Sequence, residues 1–252
     1  MVICATITVM KQTLYLIRHG HTAGTESALM YGATELPLTK DGLDDIAGYS
    51  DAGIYPDPEG AAVYTSGMIR ALQTLAVMYG ADPADVHVSL EDIYPEKDDN
   101  IERVANDIAE LCSVPHDTEP MLREVDLGAY EMMTVDEILE YEFGRKWIGG
   151  EIDEPDFPGG DTDRGFQDRI NRGLWDVLKK AKADGLDRII IVSHGGVITY
   201  IMNKAFPGRY DNKWIWCPKP GTGYKIEIED SSPVSWTPVG DIGENETPTK
   251  DL

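Results

Sequence analysis

Arg188-Ile-Ile-Ile-Val-Ser-His-Gly-Gly196 is the stretch that decides the architecture of this chain. Four consecutive branched apolar residues, Ile189 to Val192, show no polar alternation, the pattern of a strand covered on both faces in a parallel sheet. The run breaks at Ser193-His-Gly-Gly196 into an apolar helical segment over 197–206, so strand, turn and helix follow one another directly. Just upstream, Phe166, Ile170, Leu174, Val177, Leu178 and Ala181 form one stripe of a helix over about 163–182, with Gly185 as its stop.

Two further strands end in the same way. Residues 13–17 run into the polar loop Arg18-His-Gly-His-Thr-Ala-Gly24, and residues 61–65 stop at Ser66-Gly67. After the second, Met68, Ile69, Leu72, Leu75, Ala76 and Tyr79 recur at helical spacing, which puts Arg70 in the first turn. Thr39 caps a helix over 41–50, and Thr134 with Glu137 forms a capping box. Val86, Val88 and Leu90 alternate as a further strand, and the acidic stretch 96–100 leads into a helix ending near Cys112. Residues 222–228 read as a late edge strand, and Trp214 and Trp216 around Ile215 as a packed strand or rim. The expected fold is a three-layer α/β/α domain with a mainly parallel sheet. It carries a small helical insertion, about 91–119, over the active-site edge. One domain spans 1–252, with a core over about 12–228 and a frayed tail over about 241–252. Residues 1–9 form either an added strand or an extension.

Composition bounds the function. Of 252 residues, 42% are hydrophobic and 27% charged, which excludes disorder and a coiled coil as readings of the whole chain. A net charge of −23 repels nucleic acid and anionic membrane surfaces, so no partner of either kind is expected. No run of about 18 apolar residues is present to span a bilayer. The opening MVICATITVM lacks the basic flank of a secretory signal. Cys4, Cys112 and Cys217 show no metal-ligand spacing, and the reading is a reducing, cytoplasmic home.

The chemistry is suggested by position. In an open parallel sheet the carboxyl ends of the strands share one edge, where ligands bind. Arg18-His19-Gly20, Ser66 with Arg70, and Ser193-His194-Gly195-Gly196 all fall at such ends. Clustered cations repel by several kcal/mol at an effective dielectric near 20, so the group needs an anion. A phosphoryl group suits it, because its oxygens match the guanidinium fork and an imidazole N–H. A histidine with an unprotonated ring nitrogen can attack phosphorus and leave a phosphohistidine for water to hydrolyse. The leaving alkoxide needs an acid, for which Glu124, Asp126 and Glu131 are the local candidates. His19-Gly-His21 lacks the carboxylate partner of a metal site, so no metal or cofactor is assigned. Ser66 and Ser193 lack the G-x-S-x-G elbow of a serine hydrolase.

These residues resemble the histidine phosphatase superfamily, also called phosphoglycerate mutase-like. Leu14-Tyr-Leu-Ile-Arg-His-Gly-His-Thr22 is similar to its signature loop, and Gly32 with Leu36-Pro-Leu-Thr-Lys-Asp-Gly42 to the next family segment. Tyr64-Thr-Ser-Gly-Met-Ile-Arg-Ala-Leu-Gln-Thr74 resembles the segment that supplies a phosphate-binding arginine. Leu122-Arg-Glu-Val-Asp-Leu-Gly128 with Tyr130-Glu131 looks like the phosphatase-branch proton-donor segment. Phe157-Pro-Gly-Gly-Asp161 and Ile191-Val-Ser-His-Gly-Gly196 complete the order. The resemblance implies His19 as nucleophile, Glu124 as proton donor and His194 as second pocket histidine. Arg18, Arg70, the Gly20 backbone and the Thr25 hydroxyl would bind phosphate. The implied activity is metal-independent hydrolysis of a small-molecule phosphomonoester. The rivals are a phosphoglycerate mutase and a non-catalytic phosphate-sensing or protein-binding module. The departures are the length of 91–119, His21 after the signature glycine, and 143–158 with Trp147, which has no family counterpart.

Overall fold

The structure is a computed structural model that describes residues 11–95 and 100–243. Its strands are β1 (Lys11–Arg18), β2 (Leu29–Met30), β3 (Ala61–Thr65), β4 (Asp117–Thr118), β5 (Met133–Thr134), β6 (Arg188–Ser193), β7 (Gly223–Glu229) and β8 (Ser232–Val239). The α-helices begin with α1 (Ala23–Glu26), α2 (Lys40–Asp51), α3 (Ile69–Met78), α4 (Pro83–Val86) and α5 (Leu90–Ile93). They continue with α6 (Ile101–Leu111), α7 (Val135–Leu139), α8 (Glu142–Ile148), α9 (Asp163–Ala183) and α10 (Gly195–Ala205).

Among the described residues, six strands make the central sheet, in the order β4-β3-β6-β1-β7-β8. The first four run parallel, and β7 and β8 add antiparallel to β1. The run 189–192 is buried throughout because its pleat serves both layers. Ile189 and Ile191 face a core made with α9 and α10. Ile190 and Val192 face one made with α2 and α3. The α9 stripe is as read: Phe166, Ile170, Val177 and Ala181 are buried, and Gly185 takes a positive φ of 73° just past the helix end. Each large aliphatic side chain buried there contributes about 1.5–3 kcal/mol.

The stretch 86–90 is not a strand. Asp82 caps α4 with Pro83 at its first position, and Ser89 with Asp92 forms a capping box on α5. Two local caps outcompete an alternation only three residues deep. The third strand beside β3 is instead β4, paired at only two registers. β7 is not the sheet edge either, since β8 covers it. Pro233 and Pro238 hid β8 from a strand reading, and they are tolerated because an edge strand leaves half its N–H groups unpaired. Trp214 and Trp216 lie in a 3₁₀ turn, Lys213–Trp216, with Trp216 buried and Trp214 half exposed. The helix expected within 91–119 is α6, whose Val104 and Ile108 pack on Ile69 and Leu72 of α3. Residues 1–9, the acidic run 96–99 and most of the expected tail lie outside the described residues. Among the described residues, no helix is long and apolar enough to cross a membrane.

Candidate active site

The parallel order brings the ends of β1, β3 and β6 side by side, since Arg18 lies opposite Ser193 and Thr65 opposite Val192. The loops that follow therefore meet. The His19 and His194 rings stand 5.3 Å apart between centroids, tilted by 57°. Arg70, wholly buried in the first turn of α3, donates from Nε to His194 Nδ1 at 3.3 Å. Because Nδ1 accepts there, His194 carries its proton on Nε2 and donates it to Ser66 Oγ at 2.8 Å.

His19 is set the opposite way. Its Nδ1 lies 2.8 Å from the Gly20 carbonyl, an acceptor only, so Nδ1 bears the proton and Nε2 keeps a lone pair. Burial, then the charge of Arg70, then that of Arg18 hold the His19 imidazole well below the usual histidine range. Burial and Arg70 do the same to His194. Both rings are neutral near pH 7, the form a nucleophile needs.

Arg18 donates from Nη1 to the Pro218 carbonyl at 2.8 Å, while its Nε is buried without a protein acceptor. A buried guanidinium N–H without a partner is costly, and an anion in the pocket would satisfy it. Arg70 is buried with acidic neighbours Glu35, Glu124 and Glu131. The ring of Tyr31 lies 5.3 Å from its guanidinium carbon.

The three donor candidates separate by their partners. Asp126 accepts from the Gly128 N–H at 2.8 Å and so closes a local turn. Glu131 is engaged by the N–H groups of Gly32, Ala33, Thr34 and Leu127 and by the Thr34 hydroxyl. Glu124 accepts at 2.9 Å from the N–H of Gly196, two residues after His194 at the start of α10, and at 3.0 Å from its neighbour Val125. A Cβ on Gly196 would lie 2.6 Å from Glu124 Oε1, so glycine is what admits the carboxyl there. The backbone of this segment is pinned from α9: Arg169 donates to the carbonyls of Met121, Arg123 and Glu124. Ser193 Oγ donates to the Leu122 carbonyl at 2.9 Å, which spends that hydroxyl on architecture.

The Gly20 N–H and the Thr25 hydroxyl are engaged with protein groups. The Gly20 N–H goes to Thr74 Oγ1 at 3.0 Å, and the space at its Cα is filled by Ile46, Leu38 and the Gly42 carbonyl. Thr25 Oγ1 lies 2.9 Å from the Tyr31 hydroxyl and 3.2 Å from Thr22 Oγ1, and so reaches Arg70 by way of the Tyr31 ring. Three participants escaped the sequence reading. Tyr31 and Thr74 carried no charge to draw attention, although Thr74 sat within a quoted motif. Glu35, buried, receives Ile69 N–H at the start of α3 and Arg123 from the donor segment, a pairing across 88 positions that no local pattern announces. His87 is exposed, and His116 lies partly buried with Nδ1 3.1 Å from the Val114 carbonyl.

The family model described as histidine phosphatase superfamily (branch 1) matches residues 14–93 and 102–236. The chain belongs to that superfamily. Between its two parts the match leaves out residues 94–101. Among curated proteins it resembles the Salmonella paratyphi C protein named "Probable phosphoglycerate mutase GpmB", 26% identical over 184 residues, 72% of this chain and 69% of that protein. Among solved structures it resembles the alpha-ribazole phosphatase from Shigella flexneri (TM-score 0.63, 20% identity, 88% of this chain and 93% of that one). It also resembles the phosphoglycerate mutase from Thermus thermophilus (TM-score 0.55, 21% identity, 89% and 97%). At such identities these structures share the fold.

Proposed function

We propose that the chain hydrolyses a small phosphomonoester through a phosphohistidine at His19. The observation that carries this reading is the ring pair, 5.3 Å apart, bounded by Arg70 and by a buried Arg18 Nε with no protein acceptor. His19 Nε2 attacks phosphorus in line and the alkoxide departs. Glu124 protonates that oxygen, then takes a proton from the water that cleaves the N–P bond. A phosphoryl oxygen beside Arg70 Nε and His194 Nδ1 would accept from both once His194 gains a second proton, which the anion's charge favours. Arg18 Nε serves another oxygen. With two guanidiniums stabilising the transferring group, the proposed chemistry needs no metal. We assign a cytoplasmic setting from the cysteine spacing, which offers no metal-ligand pattern.

The test is turnover of p-nitrophenyl phosphate with and without chelator. His19→Ala should abolish it and chelator should leave it unchanged, whereas activity retained in His19→Ala rejects the nucleophile. The name of the Salmonella relative favours a second reading, a phosphoglycerate mutase. That enzyme must keep the phosphoryl group from water, so a coupled assay with 3-phosphoglycerate separates the two. Rapid isomerisation without phosphate release would favour the mutase. A folded protein that binds phosphate but turns over neither substrate would be the sensing module.

A further inference from the structure

We infer that Glu131 is a positioning residue for Arg70, acting through the turn Gly32-Ala-Thr34; what Arg70 holds rests on the phosphatase reading above. Glu131 gathers the N–H groups of Gly32, Ala33 and Thr34 at 3.0–3.1 Å and the Thr34 hydroxyl at 2.6 Å. The carbonyls of the same turn point the other way. Gly32 O accepts from Arg70 Nη2 at 2.6 Å and Thr34 O from Nη1 at 2.9 Å. Each of these peptide groups thus presents its positive end to a carboxylate or its negative end to a guanidinium, and the turn is held between opposite charges.

This arrangement leaves the remaining guanidinium nitrogen, Nε, directed at His194. Gly32 is required at this place, because a Cβ would lie 1.7 Å from the Val125 carbonyl. The turn is therefore wedged against the donor segment and cannot drift without moving it. Leu127 N–H, at 2.9 Å, completes the ring of donors on Glu131. Burial pushes this carboxyl up, but the Thr34 hydroxyl and the backbone N–H groups outweigh it and hold the group below the usual range. Such a carboxylate orients an arginine rather than delivering protons.

The experiment compares wild type with Glu131→Gln by calorimetric titration of inorganic phosphate, by p-nitrophenyl phosphate kinetics and by NMR of the arginine side-chain N–H groups. In Glu131→Gln we expect phosphate affinity to fall about ten- to a hundred-fold, as for a misplaced clamp, with KM rising in step. The dependence of kcat on leaving-group pKa should stay as in wild type. The Arg70 Nη resonances, resolved in wild type by the fixed turn, should broaden or average. Unchanged Arg70 resonances with unchanged phosphate affinity overturn the inference. So does a loss of kcat that grows with leaving-group pKa, since that marks Glu131 as the acid. A wild type whose Arg70 is clamped but binds no phosphate refutes the phosphatase reading instead, with the NMR comparison still deciding the positioning role. If Glu131→Gln fails to fold, Thr34→Val, which deletes only the hydroxyl donor, should weaken phosphate binding and broaden Arg70 in the same sense. No change in folded Thr34→Val also overturns the proposal.

Discussion

Arg70 and Glu131 bind opposite faces of one three-residue turn: the guanidinium takes the carbonyls of Gly32 and Thr34, the carboxylate the N–H groups of residues 32–34. Two residues 61 positions apart in the chain thereby set each other's geometry. The relationship also sets apart two carboxyls of one segment: Glu131 is committed to the turn, while Glu124 is held by a helix-start N–H and its own neighbour.

Glu124→Gln should lower kcat/KM, which reports the phosphorylation step, by about 10² to 10⁴ for alkyl phosphates, whose leaving groups need a proton, and by much less for p-nitrophenyl phosphate. Phosphoenzyme should accumulate, since the same carboxyl activates the water. Gly196→Ala should imitate the effect in part, because the added Cβ meets Glu124 Oε1. Rates for both ester classes measured with quenched-flow detection of phosphohistidine check this. A loss equal for both classes removes Glu124 from the acid role.

Thr25→Val and Tyr31→Phe should each raise KM a few-fold, and the double variant should be no worse than the stronger single. Both changes break the same hydroxyl cluster of Thr22, Thr25 and Tyr31, and effects within one network are not additive. Fully additive losses would mean that Thr25 contacts phosphate directly, as the family resemblance implied.

Stability should fall as the solution is acidified below about pH 6.5, the ordinary value for an unfolded histidine. His19 and His194 are held well below that value when folded, so below it the unfolded chain binds more protons than the native one. Each ring contributes a slope of about 1.4 kcal/mol per pH unit down to its folded value. Urea melts at pH 7.5, 6.5 and 5.5 measure it. His19→Gln/His194→Gln should flatten the slope; an equal slope in that variant would assign it to other groups. Added inorganic phosphate should flatten it too, by favouring the protonated rings.

Twenty-two basic against forty-five acidic residues leave a net charge of −23 that opposes the compact state. Sodium chloride should therefore raise Tm, by about 2–4 °C for each kcal/mol of repulsion screened. A scan from 0.05 to about 1 M salt tests this, and a Tm that stays flat or falls rejects repulsion as a limit on stability.

What could be read from the chain and what could not divide along a physical line. The run 189–192, the α9 stripe and the caps at Thr39 and Thr134 are local patterns, and they reappear in the structure. The strand ends carrying Arg18, His19, Arg70 and His194 were legible because a parallel sheet aligns them. The use of each group was not. Glu124, Asp126 and Glu131 look alike in sequence, and only the N–H groups that tertiary structure brings to each tell them apart. The surroundings of the glycines beside the histidines were equally hidden: Ile46 packs at Gly20, Cys217 and Arg18 at Gly195, Glu124 at Gly196. β8 was missed because its prolines argue against a strand in the sheet interior and say nothing against one at the margin.

That margin has a consequence for behaviour at high concentration. Pro233 and Pro238 each remove a backbone donor from β8, and the opposite border is only the two residues of β4. Among the described residues, neither border of the sheet is a long, regular template onto which a second molecule could add strands, and both are thereby guarded against amyloid-like stacking.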